Sequence, residues 1–141
     1  MSAMSLGLIY PLFAMFLLSA VILMTMFRSR IRAVKSGQIK VSYFKTYESS
    51  NLPEDVIKTA RHFSNLFEAP VLFYVICVVG MILNIDSQLF VVLAWGYVLV
   101  RAVHAYVHIG HNKLQIRMSV YALGWLIMIA MWALLLIKLT A

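Results

Sequence analysis

Long apolar runs separated by short polar stretches set the pattern of the chain. Residues 6–27 carry no charge and supply the roughly 20 helical positions that cross a bilayer core. A second span, about 62–83, is preceded by the charged stretch EDVIKTARHFSNLFE. Its helix is expected to begin near Pro53, where Ser50 and Asn51 are candidate caps and Glu54 and Asp55 complement the helix dipole. A continuous helix over 53–83 would measure about 46 Å, against a hydrocarbon core of roughly 30 Å, so its charged end must protrude. Pro70 removes the donor that the Leu66 carbonyl would use, which predicts a bend beside Glu68. The turn NIDSQ leads into a third span over about 89–107, and HIGHNK separates it from a fourth over about 119–137. The pattern predicts an all-α, four-helix transmembrane bundle forming a single domain over 1–141, with a basic loop over about 28–52 in which KVSYFKTY is amphipathic and suited to the membrane surface.

Composition agrees with this pattern. Of the 141 residues, 63% are hydrophobic and 12% charged, and the mean hydropathy is +0.90, well outside the range of soluble domains. The net charge of +7 would suggest a nucleic-acid partner in a soluble protein, but here the basic residues concentrate in the 28–58 segment. That asymmetry predicts a cytoplasmic basic loop with both termini outside, and no nucleic-acid partner. A bacterial inner membrane is the expected location, and the first helix, which lacks the positive region of a secretory signal, is expected to remain uncleaved. The single cysteine, Cys77, lies in an apolar run and reads as packing.

The polar residues within the spans are the candidate chemistry. At 3.6 residues per turn, Arg61, Asn65 and Glu68 share one helix face, as do Arg101, His104 and His108. Arg117 and Tyr121 lie one turn apart at the start of the fourth span. By the topology above, all lie toward the same end of the bundle. Each arginine taken alone could equally snorkel to lipid phosphates. Glu68 is harder to explain so, because a short carboxylate reaches water less easily. A cluster of three arginines, two or three histidines and one glutamate has surplus positive charge and suits an anion. Two carboxylates held by guanidinium forks, an ammonium on the glutamate and a thiol whose ionisation an arginine favours would match it, and glutathione carries those groups. His104, His108 and His111 could suggest a metal, but their basic neighbours and the lack of a carboxylate or thiolate on that helix disfavour a cation, and no metal is expected.

The motif R-x-x-x-N-x-x-E at Arg61, Asn65 and Glu68, R-x-x-H at Arg101 and His104, and IR at Ile116 and Arg117, together with Gly110 and Tyr121, resemble the MAPEG family of membrane-associated proteins in eicosanoid and glutathione metabolism. The resemblance covers nearly the whole chain, least so the loop after residue 28. It implies a homotrimer of left-handed four-helix bundles with glutathione bound between subunits. Arg61, Asn65, Glu68, Arg101, His104, His108 and Tyr121 would bind the tripeptide, and Arg117 would be the catalytic group that stabilises the thiolate. One of Arg28, Arg30 and Arg32 would reach the site from the first helix. His108 and Met118 depart from the tyrosine and serine of the characterised synthases. The implied function is a glutathione-dependent transferase or peroxidase acting on a hydrophobic or lipid substrate. The alternative is a non-catalytic lipid-binding or scaffold protein of the same fold. A third reading, a small cation exporter built on Glu68, is disfavoured by the surplus arginine.

Overall fold

A computed structural model describes residues 3–47 and 51–140; the candidate cap Ser50 lies outside them. Seven helices and no strand occur among these residues: α1 (Ala3–Gly7), α2 (Ile9–Lys35), α3 (Tyr43–Thr46), α4 (Glu54–Asn65), α5 (Ala69–Ile82), α6 (Gln88–Ile109) and α7 (Leu114–Thr140). Four units are long and apolar enough to cross a membrane: Ser5–Lys35, Glu54–Ile82, Gln88–Ile109 and Leu114–Thr140. The protein is therefore an all-α membrane bundle, with α6 and α7 its most extensively packed pair and α2 against α4 the next.

Two helix ends show how local sequence sets the span lengths. The first span does not stop at the first charge, as expected, but runs on to Lys35, because its basic residues are good helix formers. It ends in a Schellman motif: Gly37 takes φ +74°, its amide donates to the Val34 carbonyl at 3.0 Å, and the Gln38 amide donates to Ala33 at 3.0 Å. Ile39 then packs on Ala33 in a small cluster with Val56. Asn84 performs the same role after α5, at φ 55°, with the Ile85 amide donating to Gly80 at 2.9 Å. The Ser5 hydroxyl donates to Asn84 Oδ1 at 3.0 Å and ties the start of the chain to that turn.

The second span differs from the continuous bent helix expected. It is broken into α4 and α5 at residues 66–68, and Glu68 has φ −99° and ψ −104°, outside the helical region. The amides of Leu66, Phe67 and Glu68 donate three residues back, tightening the end of α4 before Pro70 opens α5. Pro53 itself occupies the cap position of α4, with no side-chain cap bond.

The core runs the length of the bundle. Phe73 stacks on Tyr97 at a centroid distance of 4.4 Å, with Met15, Phe90 and Met131 fully buried around them. Gly80 leaves room on α5 for the Phe90 ring, since a Cβ there would lie 2.9 Å from it. Ser29 and Thr59, both buried, share a 2.9 Å hydrogen bond between α2 and α4. Large apolar side chains such as Leu99, Leu126 and Ile137 face outward, the reverse of a soluble fold, and form the lipid-facing surface.

Candidate functional site

The break at residues 66–68 positions the site. Asn65 ends α4 and Glu68 precedes α5, and both face α6 and α7 across a cavity of about 390 Å³. His104 lines it from α6, and Arg117, Met118 and Tyr121 from the first turns of α7. Five of the eight candidate residues thus meet around one space. Arg101 stands beside it, buried to 1% exposure, with its Nη2 donating to the Asn65 carbonyl at 3.4 Å and its guanidinium 5.7 Å from the Tyr121 ring centroid. His108 joins through Arg117, whose Nη1 lies 3.4 Å from His108 Nε2 and donates to Asn112 Oδ1 at 2.8 Å.

Arg61 is not brought to the cavity. It is exposed on α4, one turn before Asn65, and lines no part of the cavity wall. None of the three arginines of α2 lines it either; Arg30 instead lies over the rings of Phe44 and Tyr47 at 5.5 and 5.7 Å, and Arg32 pairs with Asp55 at 3.9 Å.

Two residues escaped the sequence reading. His62, fully buried on α4, lies against both candidate histidines, with centroids 5.4 Å from His104 and 5.0 Å from His108. Its position three residues before Asn65 was the available signal. Asn112, at φ 48° in the turn between α6 and α7, fixes Arg117. Among the described residues no set of three or more His, Cys, Asp and Glu is arranged to hold a metal ion.

The electrostatics favour an anion with one cationic group. Among the described residues the ion pairs are Arg32 with Asp55 and Lys58 with Glu54, so Glu68, Arg101 and Arg117 are not neutralised by one another. Two guanidiniums and a carboxylate border the same space with hydrogen-bonding capacity to spare. Arg117 is held by a side-chain amide and an imidazole, neither of which removes its charge. The apolar part of the wall, Met118 with Ala122, faces outward on α7, where both are exposed.

Fold and site together define a four-span integral membrane protein with a cavity near one end of its bundle that has Arg117 and Glu68 in its wall and Arg101 beside it. A family model described as the MAPEG family matches residues 8–137, and the chain belongs to that family. No curated protein and no solved structure matches the chain.

Proposed function

We propose that this protein is a glutathione-dependent transferase or peroxidase that takes a hydrophobic electrophile or hydroperoxide from the lipid phase. The observation that carries the reading is the cavity at the α4–α5 break, where Glu68, Asn65, His104, Arg117 and Tyr121 converge beside Arg101. Its volume of about 390 Å³ falls within the range of small-molecule sites, roughly 300–1,000 Å³. The donor set fits the tripeptide: Glu68 can accept from an ammonium, the guanidiniums of Arg101 and Arg117 can hold carboxylate or thiolate, and the Asn65 amide can bond a peptide group.

Bound glutathione would supply the thiolate nucleophile for attack on carbon or peroxide oxygen. Arg117 would favour the ionised thiol by its charge, and Asn112 would keep that guanidinium aimed at the cavity. Glu68 and Arg101 would fix the ends of the peptide, so that rate is gained through positioning as well as ionisation. Exposed Met118 and Ala122 give an apolar approach from the side of the bundle. A homotrimer with glutathione between subunits is part of the reading, and it offers exposed Arg61 a role on a neighbouring subunit's ligand. The basic end would face the cytoplasm.

The test is a glutathione titration of detergent-purified protein followed by thiolate absorbance. Saturable binding should weaken roughly 10- to 150-fold in Glu68→Ala, the range for losing a charge-assisted hydrogen bond. Equal binding by wild type and variant would remove the assignment. Tight binding without turnover on any of a panel of electrophiles and hydroperoxides would favour a non-catalytic member of the fold.

A further inference from the structure

A second cavity, of about 500 Å³, lies at the same end of the bundle and shares no lining residue with the first. One wall is the last part of α2, where Phe27, Ile31 and Val34 recur at helical spacing and so share a face. Short α3 lays Phe44 and Tyr47 across it. Phe27 and Ile31 are 46% and 53% exposed, so this apolar slot opens sideways onto the outer surface of the bundle.

The rim is cationic. Arg30 and Lys35 line the slot, and among the described residues neither forms an ion pair with a carboxylate. Arg30 is held in place by the two rings beneath its guanidinium, while its Nε is buried without a hydrogen-bond partner. Phe27 and Lys35 are about 12 Å apart along the helix, with Arg30 level with Ile31 and Lys35 with Val34, so charged and apolar side chains run side by side over the depth of a headgroup and the start of an acyl chain. Arg28, Arg32, Lys40 and Lys45 add positive charge at the same end. A neutral apolar molecule would leave the two cations unanswered, and a soluble anion would leave the apolar wall uncovered. An amphiphile with an anionic head satisfies both.

We propose that this slot binds one anionic phospholipid of the adjoining leaflet, with its phosphate at Arg30 and Lys35 and an acyl chain along Phe27, Ile31 and Val34. The lipid would join α3 to the end of α2 and hold the amphipathic segment at the interface. Juxtamembrane basic clusters attract anionic headgroups in just this way, and a preformed apolar slot converts that general attraction into a site. Within one subunit the two cavities share no lining residue, and the inference assigns Arg30 to the lipid, leaving Arg28 or Arg32 as the first-helix arginine of the glutathione reading.

Native mass spectrometry of delipidated protein in neutral detergent tests it, with phosphatidylglycerol and phosphatidylcholine of matched chains as probes. One phosphatidylglycerol per chain should be retained in preference, and added salt should weaken it. Arg30→Gln with Lys35→Gln should lower that affinity roughly tenfold or more, from the contribution of each basic residue near an anionic surface. Val34→Trp, which fills the slot without changing charge, should weaken retention of both lipids. Lys40→Gln with Lys45→Gln, equal in charge change but outside the slot, should leave the preference intact. The proposal is overturned by equal retention of the two lipids by wild type, which needs no variant to fold. It is overturned as well by an equal loss in the Lys40 and Lys45 control, by displacement of the lipid with equimolar glycerol phosphate, or by self-association of the chain that Val34→Trp dissolves.

Discussion

Arg101→Met should separate stability from ligand binding. Arg101 has its backbone about 12 Å inside the end of α6, counting 1.5 Å per residue. It is 1% exposed, and its described contacts are the Asn65 carbonyl at 3.4 Å and the Tyr121 face at 5.7 Å. A hydrogen bond of that length is weak, and a desolvated cation near the outer limit of ring contact gains about 1–2 kcal/mol. Keeping a cation out of water without a paired carboxylate costs several kcal/mol. Methionine fills much of the same space without charge, so the ligand-free variant is expected to gain roughly 1–3 kcal/mol. Glutathione binding should move the other way, losing a charge-assisted contact and roughly 10- to 150-fold in Kd. Reversible unfolding in mixed detergent micelles, followed by circular dichroism, gives the first number, and the thiolate titration gives the second. A variant destabilised by more than about 1 kcal/mol would refute the reasoning, since Arg101 would then be compensated within the subunit.

Further substitutions probe the break and the packing. Pro70→Ala restores a donor for the Leu66 carbonyl, so α4 and α5 should become more continuous; helical ellipticity should rise while glutathione affinity falls, and unchanged affinity would detach the site from the break. Gly80→Val places a Cβ 2.9 Å from the Phe90 ring, and overpacking should cost about 1–3 kcal/mol in the same unfolding assay. His62→Phe removes a buried imidazole with both ring nitrogens unpartnered and is expected to stabilise the bundle by about 1 kcal/mol; a clear loss of stability would show that His62 has a partner. Gly37→Val forces a branched side chain into the left-handed region and should cost about 1–2 kcal/mol, whereas Gly37→Asn should be nearly neutral.

The four spans were legible because hydropathy and helix length respond to the same constraint, the thickness of the hydrocarbon layer. The end of α2 was misjudged by stopping at Arg28. A charge marks where water becomes reachable, whereas the helix stops where Gly37 can take a positive φ, and the two positions differ by about two turns. Pro70 correctly signalled a disturbance, but a missing donor says nothing about the backbone angles of Glu68, which turned a bend into a break. Helical spacing put Arg61 on one face with Asn65 and Glu68. It assumed one axis through all three, but only Arg61 and Asn65 share α4; Glu68 lies beyond the break, and Arg61 is exposed one turn before the cavity wall begins. His62 is a histidine on an otherwise ordinary helical turn, and its burial against His104 and His108 depends on which helices adjoin, which spacing does not give. Which helices adjoin was not available from spacing at all, and so neither was the contact of Arg101 with the Asn65 carbonyl.

Interrupting a helix in mid-bundle places two termini of opposite sign close together, the carbonyl end of α4 and the amide end of α5. Each carries about half an elementary charge from its aligned peptide dipoles. Glu68 precedes the positive terminus of α5, and Arg101 donates to a carbonyl at the negative terminus of α4, a partial charge that lessens without cancelling the cost of burying the guanidinium. The two need not neutralise one another by contact, and both keep lone pairs or N–H groups for an incoming molecule. An unbroken helix would have no ends at this depth, and the same two side chains would have to find each other or stay uncharged.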